Sequence, residues 1–558
     1  MAKRNVVLAI IILLAALLPS VGCGEKSAVV QGVFARDGIA IVGATTSEEN
    51  PREVILKVDD RPKPTRWQKH GKVILIMEPW QAGSSYEVSV DGKSWRGMAP
   101  LNPMPLTVSA EELGSLEETP SVKEWTPAVY EDVAVSPDGK YVGVASFDRN
   151  VYLYDDKGQK LWQSRITNGV GVAVAFSADG SRLFVGESSP DANIYAFDTF
   201  SGKAVWQHAF AADIGSSSAP RWNQRPKITG LIAAGGRVIA SAEYTQRVAE
   251  KDGAGTKVKH VTACVVKALD SQTGAVIWRY PQTGAMDTGV SRMTASDDGG
   301  KLVFANHSWS KGREYVDGAL RILDGATGKL IGLHQLTPKH FSYVGIFDGI
   351  HLSPNGNYLA VITADSRGML FDVSGVTVEA AGRGDGFHLL WLRQISKIHQ
   401  VGGVPVYAYG NTARTTDDGR VFFVIGGTFL ADKTASTGAP PIVHPDATSL
   451  FAYSADGGLL WKWQTEGGIS KLRFSRDSRY LILPVYHNYV TGQNDRAGLY
   501  CLDLAKSGGA PLVWFYQFEG VAVAAAIASD GSAIAGLEVP LRRVDDRQAG
   551  RHRLHILR

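Results

Sequence analysis

One repeated unit governs what this chain can fold into. It reads NIYAFDTFSGKAVW at residues 193–206 and returns as CVVKALDSQTGAVIW at residues 264–278, with eight residues from Asp to Trp in each copy. An apolar run, an Asp-to-Gly turn and a second apolar run ending in Trp form the pattern of two strands joined tightly. Varied copies lie at 152–162 (YLYDDKGQKLW), 323–332 (LDGATGKLIG, with Gly332 in place of the Trp), 451–461 (FAYSADGGLLW) and 499–514, and the copy at 369–391 carries an insertion.

A second turn alternates with the first. It appears as Ser136-Pro137-Asp138-Gly139, Ser177-Ala178-Asp179-Gly180, Ser353-Pro354-Asn355-Gly356 and the shorter Ser529-Asp530-Gly531. Degenerate copies stand at 297–299, 417–419, 475–478 and Gly235-Gly236. Asp, Asn and Gly suit a hairpin turn because it needs positive φ and local side-chain capping. Each repeat therefore reads as four antiparallel strands: A, the Ser-x-Asp-Gly turn, B, a variable loop, C, the Asp-to-Gly turn, and D. Four-stranded units of about 40–60 residues are propeller blades. The repeats predict an all-β, eight-bladed β-propeller over 122–558, or seven blades if one degenerate copy is not a blade. The last repeat ends at 554–557, before a Trp strand can form, so its fourth strand is expected from the front, at 122–125. Such closure removes the open edge that would otherwise template aggregation.

Residues 1–22 read as a signal peptide: Lys3 and Arg4, then an apolar run at 6–18, too short to span a bilayer as a helix. Pro19-Ser20-Val21-Gly22-Cys23 resembles a bacterial lipobox, in which the Cys is lipidated and becomes the mature N-terminus. Ser20 stands where that motif usually has an aliphatic residue, and Ser20-x-Gly22 also fits ordinary signal cleavage. The expectation is an exported lipoprotein, membrane-anchored through Cys23 and facing the periplasm or the cell exterior; a soluble secreted protein is the other reading. Residues 23–102 read as a small β-domain with strands at 29–35, 39–45, 53–58, 72–77 and 85–90, resembling an immunoglobulin-like or fibronectin-like sandwich, with Trp67, Trp80 and Trp95 as candidate core. Pro-bearing residues 103–121 read as a linker.

Composition narrows function. A net charge of +3 over 558 residues gives no argument for nucleic acid as a partner. Three cysteines without a CxxC leave zinc ribbons, thioredoxin sites and c-type haem attachment unsupported. Cys264 and Cys501 fall in repeats on opposite sides of the predicted ring, too far apart to bridge.

The Asp198–Gly202–Trp206 and Asp270–Gly274–Trp278 spacing is similar to the tryptophan-docking motif of quinoprotein-like propellers. That group includes pyrroloquinoline quinone dehydrogenases and the propeller lipoprotein of the outer-membrane β-barrel assembly machinery. The resemblance covers 122–558. It implies that each Trp docks on the Asp-to-Gly turn of the neighbouring blade, so these residues are structural. It implies little about function, since propellers host many. The adjacent cysteines of the dehydrogenases are missing here, which argues against quinone chemistry.

Long segments fall mainly between B and C (244–260, 306–318, 428–447, 486–498, 540–551) and between D and A (211–227, 334–343), which emerge on one face. They carry Trp222, His307, Trp309, Arg313, Tyr315, His340, Tyr343, Tyr486, His487 and Tyr489, the candidate partner-binding set. Aromatics with Arg suit protein interfaces; the same rings could instead pack the loops together. An insertion at 373–390 lies on the opposite face. His307, His340, His444 and His487 have no metal-ligand spacing, and no GxSxG occurs, so no cofactor, metal or catalytic residue is assigned. The sequence reads as a non-catalytic cell-envelope scaffold that binds a protein or polymer. The alternative is a quinone- or metal-dependent oxidoreductase or a hydrolase using the central funnel.

Overall fold

In a computed structural model of the chain, the described residues are 30–34, 39–44, 53–64, 67–70, 73–76, 78–79, 84–98, 106–109 and 132–557, the last without 167–168, 253–254, 308–316, 342, 382–385, 402–403, 431–443, 466, 487–496, 506–511 and 543–547. The chain divides into two compact units, Met1–Met104 and Pro105–Arg558.

In the first unit, Val30–Phe34 pairs with Ile39–Ala44, and that strand pairs with Glu78–Pro79. A four-stranded sheet runs in the order Arg61–Lys63, Val54–Val58, Ser85–Val90, Lys93–Met98. Its core is Leu56 with Tyr86, Val88 and Val90, the alternate positions of one strand. The turns at Asp59-Asp60 and Asp91-Gly92 have positive φ at both positions, the mirror-image geometry that matches strand twist. Pro62, which reads as a turn residue in the sequence, lies in an exposed edge strand, where a missing N–H is tolerated. Trp95 is half-buried: its ring lies along its own strand over Gly97, where a Cβ would collide with it, and is absent from the sheet's buried set.

Among its described residues, the second unit is all β apart from two short helical turns. Its blades follow the predicted A–B–C–D order, as in Asp132–Val135, Tyr141–Ala145, Asn150–Asp155 and Lys160–Arg165. The Ser-x-Asp-Gly turns hold because the side chains replace missing backbone partners. Ser177 Oγ donates to Asp179 Oδ1 (2.6 Å) and accepts the Arg182 N–H (2.9 Å), while Gly180 supplies φ +70°. Ser296, Ser353 and Ser475 repeat this pattern, and Thr416 keeps the contact to Asp418. At the second turn, the C–D register slips by one residue just before the turn, at Ala196/Phe197, Ala268/Leu269, Ile322/Leu323 and Ala452/Tyr453. This bulge swings the chain into the Asp-to-Gly loop.

That loop receives the Trp of the preceding blade. The indole N–H of Trp162 donates to Thr199 O (2.7 Å), Trp206 to Ser271 O (3.2 Å), Trp278 to Gly325 O (2.9 Å) and Trp391 to Ala455 O (3.0 Å). Under each ring sits a glycine at positive φ: Gly202, Gly274, Gly328 and Gly457. A Cβ on Gly274 would stand 2.6 Å from the Trp206 ring. One link is different. Gly332 offers no ring, and the next blade has the insertion at 373–390 in place of the receiving loop. Val373, Val376 and Phe387 of that insertion join Ile331 in one core cluster, and Phe387 lies 5.3 Å from the His334 ring. The insertion supplies the apolar filling that the absent Trp would have given. Lys301 Nζ holds it, donating to Val373 O (2.8 Å).

Ring closure departs from the expectation. Val521–Ile527, Ile534–Val539 and Arg553–Leu557 form three strands of the last blade, and the fourth is Leu106–Ser109, antiparallel to Arg553–Leu557. The expected strand at 122–125 lies outside the described residues, and the closing position is taken by part of the segment that reads as linker. Leu106-Thr107-Val108-Ser109 alternates apolar and polar residues, but Pro103 and Pro105 beside it mask so short a strand in a sequence reading.

Trp206→Ala removes a half-buried docked ring and should destabilise the protein by about 3 kcal/mol. Gly274→Ala should cost about 1–2 kcal/mol from its left-handed backbone alone, and more while the Trp206 ring is present. Urea unfolding of the two single variants and the double variant checks this: the double variant should cost less than the sum.

Candidate partner-binding face

The B–C and D–A connections are built from strand as well as loop. Residues 244–260, a loop in the sequence reading, form a continuous ribbon: Arg237–Asp252 pairs with Gly255–Asp270 without a break, from Arg237↔Asp270 to Asp252↔Gly255. Alternating β-branched residues such as Val248, Thr245, Thr262 and Val261 sustain it beyond the blade. At about 3.3 Å per residue, strands of 16 residues extend far past neighbours of six. A second extension is Val404–Thr415 with Val421–Leu430, widened by His399–Val401.

Between these hairpins, the connection at 336–349 carries an aromatic cluster. The Phe341 ring stacks on Tyr343 (5.5 Å) and meets Tyr407 (5.0 Å), and the exposed His340 ring lies 6.5 Å from Tyr407. Asp317 Oδ2 accepts the Val344 N–H (2.8 Å), and Asp365 Oδ2 accepts that of His340 (3.3 Å). Burial, then the Asp317 and Asp365 carboxylates, pushes the Tyr343 hydroxyl up, so it stays a neutral hydrogen-bonding group. A second line runs from half-buried His307 to Phe347 (6.5 Å) and on to Tyr409 (6.4 Å). Of the candidate set, the structure brings His340 and Tyr343 together and places His307 in the neighbouring line. Tyr486 packs over Gly468, where a Cβ would collide with its ring. Trp222 opens the helical turn Trp222–Gln224, closed by Arg225 Nε donating to Ala219 O (2.6 Å). Trp309, Arg313, Tyr315, His487, Tyr489 and the lipidation candidate Cys23 lie outside the described residues.

His444 is a structural histidine. It is fully buried, its Nδ1 accepts the Asp446 N–H (3.0 Å), and its Nε2–H therefore donates to Lys397 O (2.7 Å). Among the described residues, no group of three His, Cys, Asp or Glu side chains is placed to hold a metal ion, and no helix is long and apolar enough to cross a membrane. Cys264 and Cys501 are buried and form no disulfide, and burial pushes the Cys264 thiol well up. At the base of the face, Asp213 bridges Lys267 (2.6 Å) and Arg279 (2.9 Å), pinning the turn Ala211–Ile214 to the next blade. Beside it, His208 Nε2 lies 3.1 Å from Lys267 Nζ. Burial first, then Lys267, pulls the His208 ring down to about 4, with Asp213 opposing.

The sequence reading missed a set of charged residues on the innermost strands: Asp132, Arg292, Asp348, Arg414, Lys471 and Arg473. Their signal is positional. Five of them, Asp132, Arg292, Arg414, Lys471 and Arg473, stand two or four residues before a Ser or Thr that opens an A–B turn, and such positions share a strand face.

Four-stranded units joined by a Trp-on-turn dock define a β-propeller with PQQ-like repeats. Residues 147–343 match the family described as outer membrane protein assembly factor BamB, and residues 126–155 match the WD domain, G-beta repeat. No curated protein matches the chain. Similar solved structures include BamB from Moraxella catarrhalis, 15% identical over 76% of this chain and 95% of that one, with a TM-score of 0.42. The C-terminal WD40 domain of Sif2 is 12% identical over 76% of this chain and 94% of that one, with a TM-score of 0.46. A chain of the mitotic checkpoint complex is 13% identical over 82% of this chain and 95% of that one, with a TM-score of 0.40. The chain carries a PQQ-like β-propeller that resembles BamB.

The lowered His208 pKa sets a pH dependence. The folded state holds the ring neutral, so its contribution is present above the unfolded pKa of about 6.5 and is lost as pH falls from there towards 4. Urea unfolding at stepped pH should show stability falling over that window, less steeply in His208→Gln.

Proposed function

We propose that this chain is a non-catalytic scaffold of the cell envelope, tethered by a lipid on Cys23, whose propeller binds a protein partner through the face formed by its B–C and D–A connections. One observation carries the reading: the elaboration is one-sided. The ribbon 237–270 and the hairpin 404–430 extend one face, whereas the A–B turns of the other are short and close their own hydrogen bonds. An exposed ribbon also offers unpaired strand edges, a ready means of adding a partner strand. The likeness to BamB and WD40 propellers supports a protein-interaction role. Four-stranded units counted along 132–557, with 106–109 completing the last, support an eight-bladed ring. The strands of Met1–Met104 support a small β-sandwich that would act as a spacer or second binding module.

A photo-crosslinking residue at Val261 or His340 should give adducts in intact cells, and one at Lys157 or Lys203 in the turn face should not. Equal adducts from both faces, or none from the first, would sink the proposal. Alanine at Trp309, Arg313 and His487 should reduce those adducts with little change in melting temperature, whereas Tyr486→Ala should lower the melting temperature because its ring packs on Gly468. Cys23→Ala should abolish palmitate labelling and release the protein from the membrane fraction; a wild-type protein that takes up no label would remove the anchor.

A further inference from the structure

The innermost strands carry a charge pattern that neither blade packing nor the partner face uses. Four residues before the Ser or Thr of the A–B turn, six of the blades present Asp132, Ala173, Arg292, Gly349, Thr412 and Lys471. Two residues before it they present Ala134, Ala175, Thr294, His351, Arg414 and Arg473. Ala173, Ala134 and Ala175 make one stretch of this wall small and apolar, whereas Arg292, Arg414, Lys471 and Arg473 make another cationic. These side chains converge: Lys471 feels the charges of Asp132, Arg292 and Asp348, which come from three other blades, and of Arg473 from its own. Only the axis of a propeller brings innermost strands of non-adjacent blades that close.

The cluster is not neutralised from within. Asp348 is shared: its Oδ1 lies 2.8 Å from Arg292 Nη1 and its Oδ2 2.9 Å from Arg414 Nη2. Burial alone would push the Asp348 carboxyl up, but Arg292, Arg414 and Lys471 together hold it far below the usual carboxylate range. Asp132 Oδ2 accepts the Val174 N–H (3.3 Å) on the next blade. Arg473 donates to Leu472 O (3.3 Å), and among the described residues neither Lys471 nor Arg473 has a carboxylate within ion-pair distance. His351 Nδ1 accepts the Thr415 N–H (3.2 Å), and burial followed by the nearby Arg414 and Arg292 keeps the ring neutral. Four cations thus face two carboxylates. Burial first, then mutual repulsion, lowers Arg473 to about 10; for Arg414, burial and the same repulsion outweigh Asp348 and give about 9, so both stay charged at neutral pH.

On the turn face, the blades are tied across the axis. Arg476 Nε donates to Asp297 Oδ2 (3.0 Å), joining A–B turns of blades that have two others between them. A ligand would therefore enter from the partner face. Guanidinium forks match tetrahedral oxyanions bidentately, and the unneutralised charge is that of a dianion.

We propose that the cation cluster at the axis binds a phosphate group, as inorganic phosphate or a phosphate monoester, through Arg473 and Lys471 with Arg292 and Arg414 completing the cradle. The test uses the full chain at pH 7 and fixed ionic strength. Calorimetric titration with inorganic phosphate should show saturable binding at one site per chain that acetate does not give, and phosphate should raise the melting temperature above matched chloride. Lys471→Gln/Arg473→Gln should weaken binding at least tenfold. Asp132→Asn, which removes an opposing negative charge, should tighten it. No saturable binding, or equal affinity in all three proteins, would overturn the proposal. If glycerol phosphate competes and phosphatidylglycerol vesicles do not, the ligand is a free phosphate; if the vesicles compete, it is a lipid headgroup.

Discussion

The propeller depends on one repeated contact, a tryptophan laid over a glycine of the next blade. The ring needs a flat, Cβ-free floor, and glycine at positive φ provides it at Gly202, Gly274 and Gly328. The indole N–H then finds a loop carbonyl, so the polar end of the ring is satisfied while its apolar face is buried. The same contact fixes the turn: the Asp caps the loop, the bulge before it turns the chain, and the glycine completes the reversal. Where Gly332 breaks the series, the neighbouring blade compensates with Val376 and Phe387. The insertion at 373–390 and the lost Trp are two sides of one packing solution.

Docking also divides the molecule's faces. One face is committed to internally bonded turns and to the Trp floor, and even its insertion at 373–390 serves that packing. The other face has no such duty. There the strands run on as a ribbon at 237–270 and a hairpin at 404–430, and the connection between blades carries the Phe341, Tyr343 and Tyr407 cluster. Connections without a packing duty are where a chain is free to vary. The axis is the third region free of the repeat's demands, and there the blades differ from one another in charge rather than in length.

Much of the blade architecture was legible in the sequence, since side-chain alternation and turn chemistry are local. Asp91-Gly92, Ser177-x-Asp-Gly and Asp198-to-Gly202 each announce their geometry through residues a few positions apart. The face was less legible. Residues 244–260 lack turn residues until Asp252-Gly253, and their continuation as a ribbon was masked by a polar composition that also suits loops. His444 has no metal-ligand spacing in the sequence, and burial with two backbone partners makes it structural.

The sequence by itself determined the repeat, its strand order and its turns, because each is written within a few residues and obeyed locally. Only the tertiary structure decided which strand closes the ring and which side chains meet at the axis. Leu106–Ser109 and Arg553–Leu557 are joined by more than four hundred residues of intervening blades. Asp132, Arg292, Asp348 and Lys471 become neighbours only when the blades are arrayed around a common centre. Local patterns fix hydrogen bonds between adjacent strands; closure and convergence depend on the accumulated rotation of every blade, which no single stretch of sequence encodes.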